Sequence, residues 1–191
     1  MTQLNEPLSQ LSLLFVSASM GFLAIALMLF SFQLAKLSKS ETAPTGMSRL
    51  ESIAFWITGL ATVILGAGVV MRGIAASRVP WANMYEFSIS GALLILLVYL
   101  TSLKLKDLRF VATFVVAFVL ITLFAAVALF YVEVKTLMPA LQSYWLVIHV
   151  VVAILATSFF TIAAALHLSY LVKAGNLGQS GMRYFPTLEN L

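Results

Sequence analysis

Five apolar runs, near 13–34, 53–71, 87–103, 110–132 and 145–172, dominate this chain and are joined by short connections. Each approaches or exceeds the roughly 20 residues that carry a helix across a bilayer; the third is the shortest and needs flanking residues. Hydrocarbon offers no partner for a backbone N–H or C=O, so a spanning segment is a helix or part of a closed barrel. None of the runs alternates as a barrel strand does. The composition agrees, since 9% charged residues against 62% hydrophobic ones cannot cover a soluble domain. The sequence therefore predicts an all-α integral membrane protein, a bundle of about five transmembrane helices forming a single domain over 1–191. It shows no soluble domain, repeat or low-complexity segment.

The basic residues set an expected orientation. Lys36, Lys39, Arg49, Lys104, Lys106, Arg109, Lys173 and Arg183 fall on one side, against Arg72, Arg78 and Lys135 on the other. The positive-inside rule places the richer side in the cytoplasm, with the amino terminus outside and the carboxyl terminus cytoplasmic. The net charge of +4 comes from residues at the ends of apolar runs, where they meet lipid headgroups, so the chain calls for a lipid bilayer and no nucleic acid. Cysteine is absent, which excludes thiolate nucleophiles, disulfides and cysteine-held metals from this chain alone. The opening MTQLNEPLSQ carries Glu6 and no basic residue, unlike a signal peptide, and the first helix is expected to stay in the protein.

Two polar, aromatic segments interrupt this scaffold: SRVPWANMYEFS at 77–88 and PALQSYWLVIH at 139–149. With alternating loops they emerge on the same, extracytoplasmic side, and bring Arg72, Arg78, Trp81, Tyr85, Glu86, Tyr144, Trp145 and His149 toward one surface. His149 follows Trp145 by one helical turn, so the two share a face. A neutral imidazole there suits a metal, a haem iron or a proton; equally it suits a hydrogen bond to a neighbouring helix. His167 points the same way about 27 Å further along a straight helix, too far to share a metal with His149. Ala153, Ala156, Phe160 and Ala163 between them form a mostly small-residue stripe suited to helix packing, which also accounts for His167.

Asn83 and Glu86, three apart at the start of the third helix, match a capping box. Trp81, Tyr85, Tyr131, Tyr144 and Trp145 fit an interfacial aromatic belt as well as a site. Arg72 and Arg78 serve either as interface anchors or as partners for an anionic ligand, since guanidinium matches carboxylate geometry. Gly59, Thr62, Gly66 and Gly73 predict a close-packing face on the second helix.

Together RVPWANMYEFSISGALL and LMPALQSYWLVIHVVVAILA, about 60 residues later, resemble the CcsA/ResC family, the haem-handling membrane subunit of the system II cytochrome c synthase, in its actinobacterial CcsB type. The tail YFPTLENL is similar to the stretch that follows the same helix in that family. The resemblance runs from about Arg72 to the end, and implies a role in cytochrome c biogenesis: presenting haem at the extracytoplasmic face for thioether attachment to apocytochrome c. It implies His149 as an axial haem ligand, the chain's one contact with haem iron. It further implies Trp145, Trp81 and Tyr85 beside the porphyrin, Arg72 and Arg78 near the propionates, and Asn83 and Glu86 as residues that shape the site, with no catalytic side chain. The implied cofactor is haem b, bound transiently as substrate. The implied partners are a ResB-like membrane protein and an apocytochrome with a Cys-x-x-Cys-His motif. The implied location is the bacterial plasma membrane, or a thylakoid membrane in a plastid or cyanobacterium.

Members of that family continue into a tryptophan-rich loop, an intramembrane histidine and a second external histidine. This sequence ends at Leu191, and Trp56, Trp81 and Trp145 have no counterpart in that loop. The resemblance thus covers the family's amino-terminal part only, and implies either an amino-terminal fragment or a chain whose missing parts come from another polypeptide: a subunit of a haem lyase complex that is not expected to be active as this fragment alone. Two other classes fit the residues without the resemblance: a transport or quinone-interacting subunit with an aromatic pocket at lipid level, and a scaffold whose loops dock a partner.

Overall fold

The structure, a computed structural model, describes residues 6–38, 46–134 and 144–174. Lys39, Lys135 and Arg183, residues 139–143 of the second polar segment and the YFPTLENL tail lie outside the described residues. Helix α1 covers Glu6–Ser38, α2 Arg49–Ala76, α3 Met84–Ser102, α4 Ala112–Leu129 behind a 3₁₀ turn at Arg109–Val111, and α5 Tyr144–Ala174. The five helices, the fourth taken with its 3₁₀ turn, are each long and apolar enough to cross a membrane, so this is an all-α, multi-pass membrane architecture.

Local chemistry sets the helix ends. Ser48 and Glu51 make a complete capping box at α2, with Glu51 N–H donating to Ser48 Oγ at 3.1 Å and Ser48 N–H donating to Glu51 Oε2 at 3.4 Å. Ser77 closes α2 in the left-handed region at φ 51°. From there Ser77 N–H reaches Ile74 O at 3.0 Å and Arg78 N–H reaches Gly73 O at 3.1 Å, a Schellman closure. Gly73 permits the reversal, because a Cβ there would lie 3.2 Å from Arg78 O and 3.3 Å from Pro80 Cδ.

Helices α1 and α2 form the most extensive pair, and α1 also packs on α4. Helix α3 is central, touching α2, α4 and α5 and burying Tyr85, Ile89, Ala92, Ile95, Leu96 and Tyr99. The close approach of α1 and α2 falls at Gly68, where Ser12 Oγ donates to Gly68 O at 2.7 Å. Of the expected face of Gly59, Thr62, Gly66 and Gly73, Thr62 is buried, Gly66 meets Leu93 of α3 at 3.7 Å and Gly73 meets the loop, while Gly59 is corrected: nothing lies within 4 Å of a Cβ there.

Helix α5 leans on α3 and the 3₁₀ turn and barely meets α4, leaving an apolar cleft of about 300 Å³ that Phe114, Phe118, Thr161 and Leu168 help to line. Its buried positions are Ile154, Ser158, Thr161, Ile162, Ala165 and Ser169. The stripe expected to pack, from Ala153 through Phe160 to Ala163, is therefore turned away from the bundle, and Phe160 is 73% exposed. His167 is exposed, its Nδ1 3.0 Å from the carbonyl of Ala163 on its own helix, rather than in a helix interface.

The polar connections fall at alternate ends. At one end Arg109 joins Asp107 at 2.6 Å and the buried Glu51 at 3.6 Å, while Tyr99 Oη donates to Leu108 O at 3.1 Å. The hydrogen bond from Arg109 holds the Asp107 carboxyl below its usual range. That exposed pair therefore adds its small stabilisation above the ordinary aspartate pKa and loses it as pH falls through the lowered one.

The packing yields a contrast between two glycines. A Cβ on Gly68 would sit 3.2 Å from Val16 Cγ2 and 3.3 Å from both Phe15 Cβ and Ser12 O, whereas Gly59 faces open space. Gly68→Val should lower stability in reversible detergent unfolding by about 1–3 kcal/mol through overpacking. Gly59→Ala should leave it unchanged or raise it by up to about 1 kcal/mol through helix propensity. The reverse order would mean that α1 and α2 do not meet at Gly68.

Candidate functional site

At the other end, the first turn of α3 places Glu86 where the loop from α2 folds back over it. Asn83 caps the helix, its Oδ1 accepting from Glu86 N–H at 2.9 Å. The reciprocal half of the expected capping box is not made to Asn83. Glu86 Oε2 instead accepts from Ala82 N–H at 3.0 Å and from Arg78 Nη1 at 2.6 Å. Its Oε1 accepts from Arg72 Nε and Arg78 Nη2, both at 3.2 Å. Four donors thus fill a carboxylate that has about four acceptor positions. The side chain is wholly buried, so this pairing is what allows it to stay charged. Its place in the first turn of α3 adds favourable interaction with the helix dipole. Ser90 Oγ, donating to Pro80 O at 2.8 Å, fixes the same loop one turn on.

Arg72 is the largest side chain among the wholly buried ones. Besides Glu86, it donates from Nη1 to Ser9 Oγ at 2.8 Å and from Nη2 to Val132 O at 2.5 Å. Its guanidinium carbon lies 5.1 Å from the Tyr85 ring centre and 5.9 Å from that of Tyr131. The two rings meet edge to face at 5.2 Å and 81°. One guanidinium thereby ties α1, α3 and the segment after α4 to α2. Arg78, 15% exposed, also donates to Val79 O at 3.3 Å. Two guanidinium groups against one carboxylate leave the cluster with an excess positive charge, and among the described residues Arg78 Nε and Tyr85 Oη are buried without a partner.

The structure therefore gathers Arg72, Arg78, Tyr85 and Glu86, with Asn83 as cap, and leaves Trp81 half-buried in the loop beside them. Arg72, expected at the surface, belongs to the interior of this cluster. Tyr144, Trp145 and His149 are not part of it; they are exposed on the outward face of α5. Reading the sequence missed Ser9 and the carbonyl of Val132, and took Tyr131 only for a belt aromatic. A serine in an apolar run and a backbone carbonyl give no local signal. The Ser48-x-x-Glu51 pattern at the start of α2 carries a capping-box signal in the sequence itself. Among the described residues no group of three or more His, Cys, Asp or Glu side chains could hold a metal ion.

The sequence pattern of the cytochrome C assembly protein family matches residues 81–190, more than half of the chain. The chain belongs to the cytochrome c assembly protein family. Its role accordingly lies in cytochrome c biogenesis. Comparison with curated proteins and with solved structures returns no match. In this family member the matched region opens at Trp81, and so takes in Tyr85, Glu86, Tyr131, Trp145 and His149, while Arg72 and Arg78 come just before it.

The unpartnered hydroxyl of Tyr85 has a measurable consequence. Its ring is held by Arg72 and Tyr131, but burying a hydroxyl without a hydrogen bond costs about 1–3 kcal/mol. Tyr85→Phe keeps the ring and should leave detergent stability unchanged or raise it by up to about that amount. A clear loss of stability in Tyr85→Phe would mean that the hydroxyl has a partner.

Proposed function

We propose that this chain handles haem during cytochrome c maturation, taking it as substrate at the Arg72 end of the bundle and presenting it to an apocytochrome. The basic-residue bias puts that end outside the bacterial plasma membrane, or on the corresponding side of a thylakoid membrane. The family match carries this reading, and the chemistry of the exposed residues suits it. The His149 side chain is exposed and its ring makes no hydrogen bond among the described residues, which suits an imidazole nitrogen that ligates iron. Trp145, one turn earlier and 76% exposed, offers an aromatic face beside it. Arg78 is the arginine suited to a propionate, because it reaches the surface and belongs to a cluster with excess positive charge. Arg72 serves that end from within, holding Glu86, with Tyr85 and Asn83 completing the support and Trp81 lying in the loop above.

Haem supplies the vinyl groups across which the apocytochrome thiols add to give thioethers. The protein's share is to ligate and orient, converting an encounter of three bodies into a reaction within one complex. A ResB-like membrane protein completes that complex, together with a client carrying Cys-x-x-Cys-His. The second axial ligand comes from outside the described residues of this chain.

His149→Gly, expressed with its partner in cells, should lose cytochrome c maturation, and added imidazole should restore part of it by filling the vacated position. His167→Gly is the control on the same helix face: its bond is local, and it should mature cytochrome normally. Equal failure of both variants, with neither answering to imidazole, would make His149 structural and remove the haem assignment from it.

A further inference from the structure

Helices α4 and α5 barely meet, and between them lies the apolar cleft of about 300 Å³. Phe114 and Phe118 of α4 line it together with Thr157, Thr161, Ala164 and Leu168 of α5. Its two hydroxyls are already satisfied within the helix: Thr157 Oγ1 donates to Ala153 O and Thr161 Oγ1 to Thr157 O, each at 2.9 Å. The walls therefore offer nothing to a polar guest. Thr157 to Leu168 is about 16 Å of helix. A volume of about 300 Å³ over that length is too narrow to admit a second helix, which is roughly 10–12 Å across with its side chains. A slot of this shape takes a single hydrocarbon chain, and an empty one would forfeit the contacts of its lining.

One end of the cleft meets charge. The 3₁₀ turn at Arg109–Val111 leads directly into α4 and packs on α5, so the Phe114 end of the cleft lies just below it. The connection from α3 enters that turn with Lys104, Leu105 and Lys106, all exposed, Leu105 by 86%. Its backbone is held in place: Lys104 N–H donates to Thr101 O, and Leu105 and Lys106 N–H to Ser102 O, each at 3.0 Å. Among the described residues neither lysine forms an ion pair, because the acids at this end, Asp107 and Glu51, are both held by Arg109. Two free ammonium groups flanking an exposed leucine suit a loop at headgroup level, where the leucine meets acyl chains and the lysines meet phosphates.

We propose that the α4–α5 cleft is the seat of one anionic phospholipid, with an acyl chain between Phe114, Phe118 and Ala164 and its headgroup on Lys104 and Lys106. The cleft alone would accept the tail of any lipid. The unpaired cations at its mouth select a headgroup of net negative charge, and a single amphiphile satisfies both halves of the site. The seat lies at the opposite end of the bundle from Arg72 and Glu86, and does not depend on the function proposed above.

Native mass spectrometry of the full chain in detergent, with equal amounts of phosphatidylglycerol and phosphatidylcholine added, tests the seat. The expected result is one retained lipid, predominantly phosphatidylglycerol. Ala164→Phe fills the cleft from an exposed position and should abolish retention of both lipids. Lys104→Gln with Lys106→Gln should keep a lipid bound but lower the preference for phosphatidylglycerol by about tenfold. Lys36→Gln with Arg49→Gln removes the same charge from exposed positions on α1 and α2, which do not line the cleft, and should change nothing. Equal retention of the two lipids by the unaltered chain would overturn the proposal. So would retention that Ala164→Phe leaves intact, or a preference lost equally in the Lys36 and Arg49 control. A dimer that Ala164→Phe dissolves would also overturn it, making the cleft a contact between copies. The lysine pair is exposed on the loop, so its result decides the headgroup claim even where Ala164→Phe disturbs packing.

Discussion

Glu86 is the carboxylate on which this end of the bundle, where α2 gives way to α3, depends. An isolated charge at the end of a membrane span is expensive, and it persists only when paired and hydrogen-bonded. Here four donors from Arg72, Arg78 and Ala82 close around it. Because Arg72 has donors to spare, the same ion pair reaches Ser9 on α1 and Val132 beyond α4. Lipid supplies no hydrophobic force between helices, so packing contacts and such polar ties carry the association. The cluster does at one end of the bundle what the smaller Glu51–Arg109–Asp107 set does at the other.

This arrangement separates support from contact. Residues that hold the fold are buried and saturated: Glu86, Arg72 and the Tyr85 ring. Residues available to something outside the chain sit apart from them: Trp145 and His149 on α5, and the partly exposed Arg78. Under the function proposed above, such a division lets the exposed set exchange partners while the buried set stays fixed.

Much of this was legible in the sequence, for identifiable reasons. Length and hydropathy determine membrane spans directly, and Asn83 three residues before Glu86 marked the start of α3. The boundary at Leu129 was not legible, because Phe130 to Val132 are as apolar as the helix before them and leave it for a partner on α2. The ties of the cluster are hidden by distance along the chain: Arg72 is 14 residues from Glu86, and Ser9 is 63 from Arg72. The packing face of α5 was misread since the helix is apolar on all sides. Small residues lie both on the Ala153–Ala156–Ala163 stripe and on the Ser158–Ala165–Ser169 stripe, and only the bundle decides between them.

The central claim is that Arg72 and Glu86 act as one unit holding that end of the bundle together. A double-mutant cycle in reversible detergent unfolding measures it most directly, with Arg72→Met and Glu86→Gln chosen to keep volume while removing charge. Glu86→Gln strands the buried Arg72 guanidinium and should cost about 3 kcal/mol or more, whereas Arg72→Met leaves Glu86 on Arg78 and should cost less. The double change should cost less than the sum of the two, by a coupling of about 0.5–3 kcal/mol. Additive effects, or single changes that cost nothing, would contradict the account.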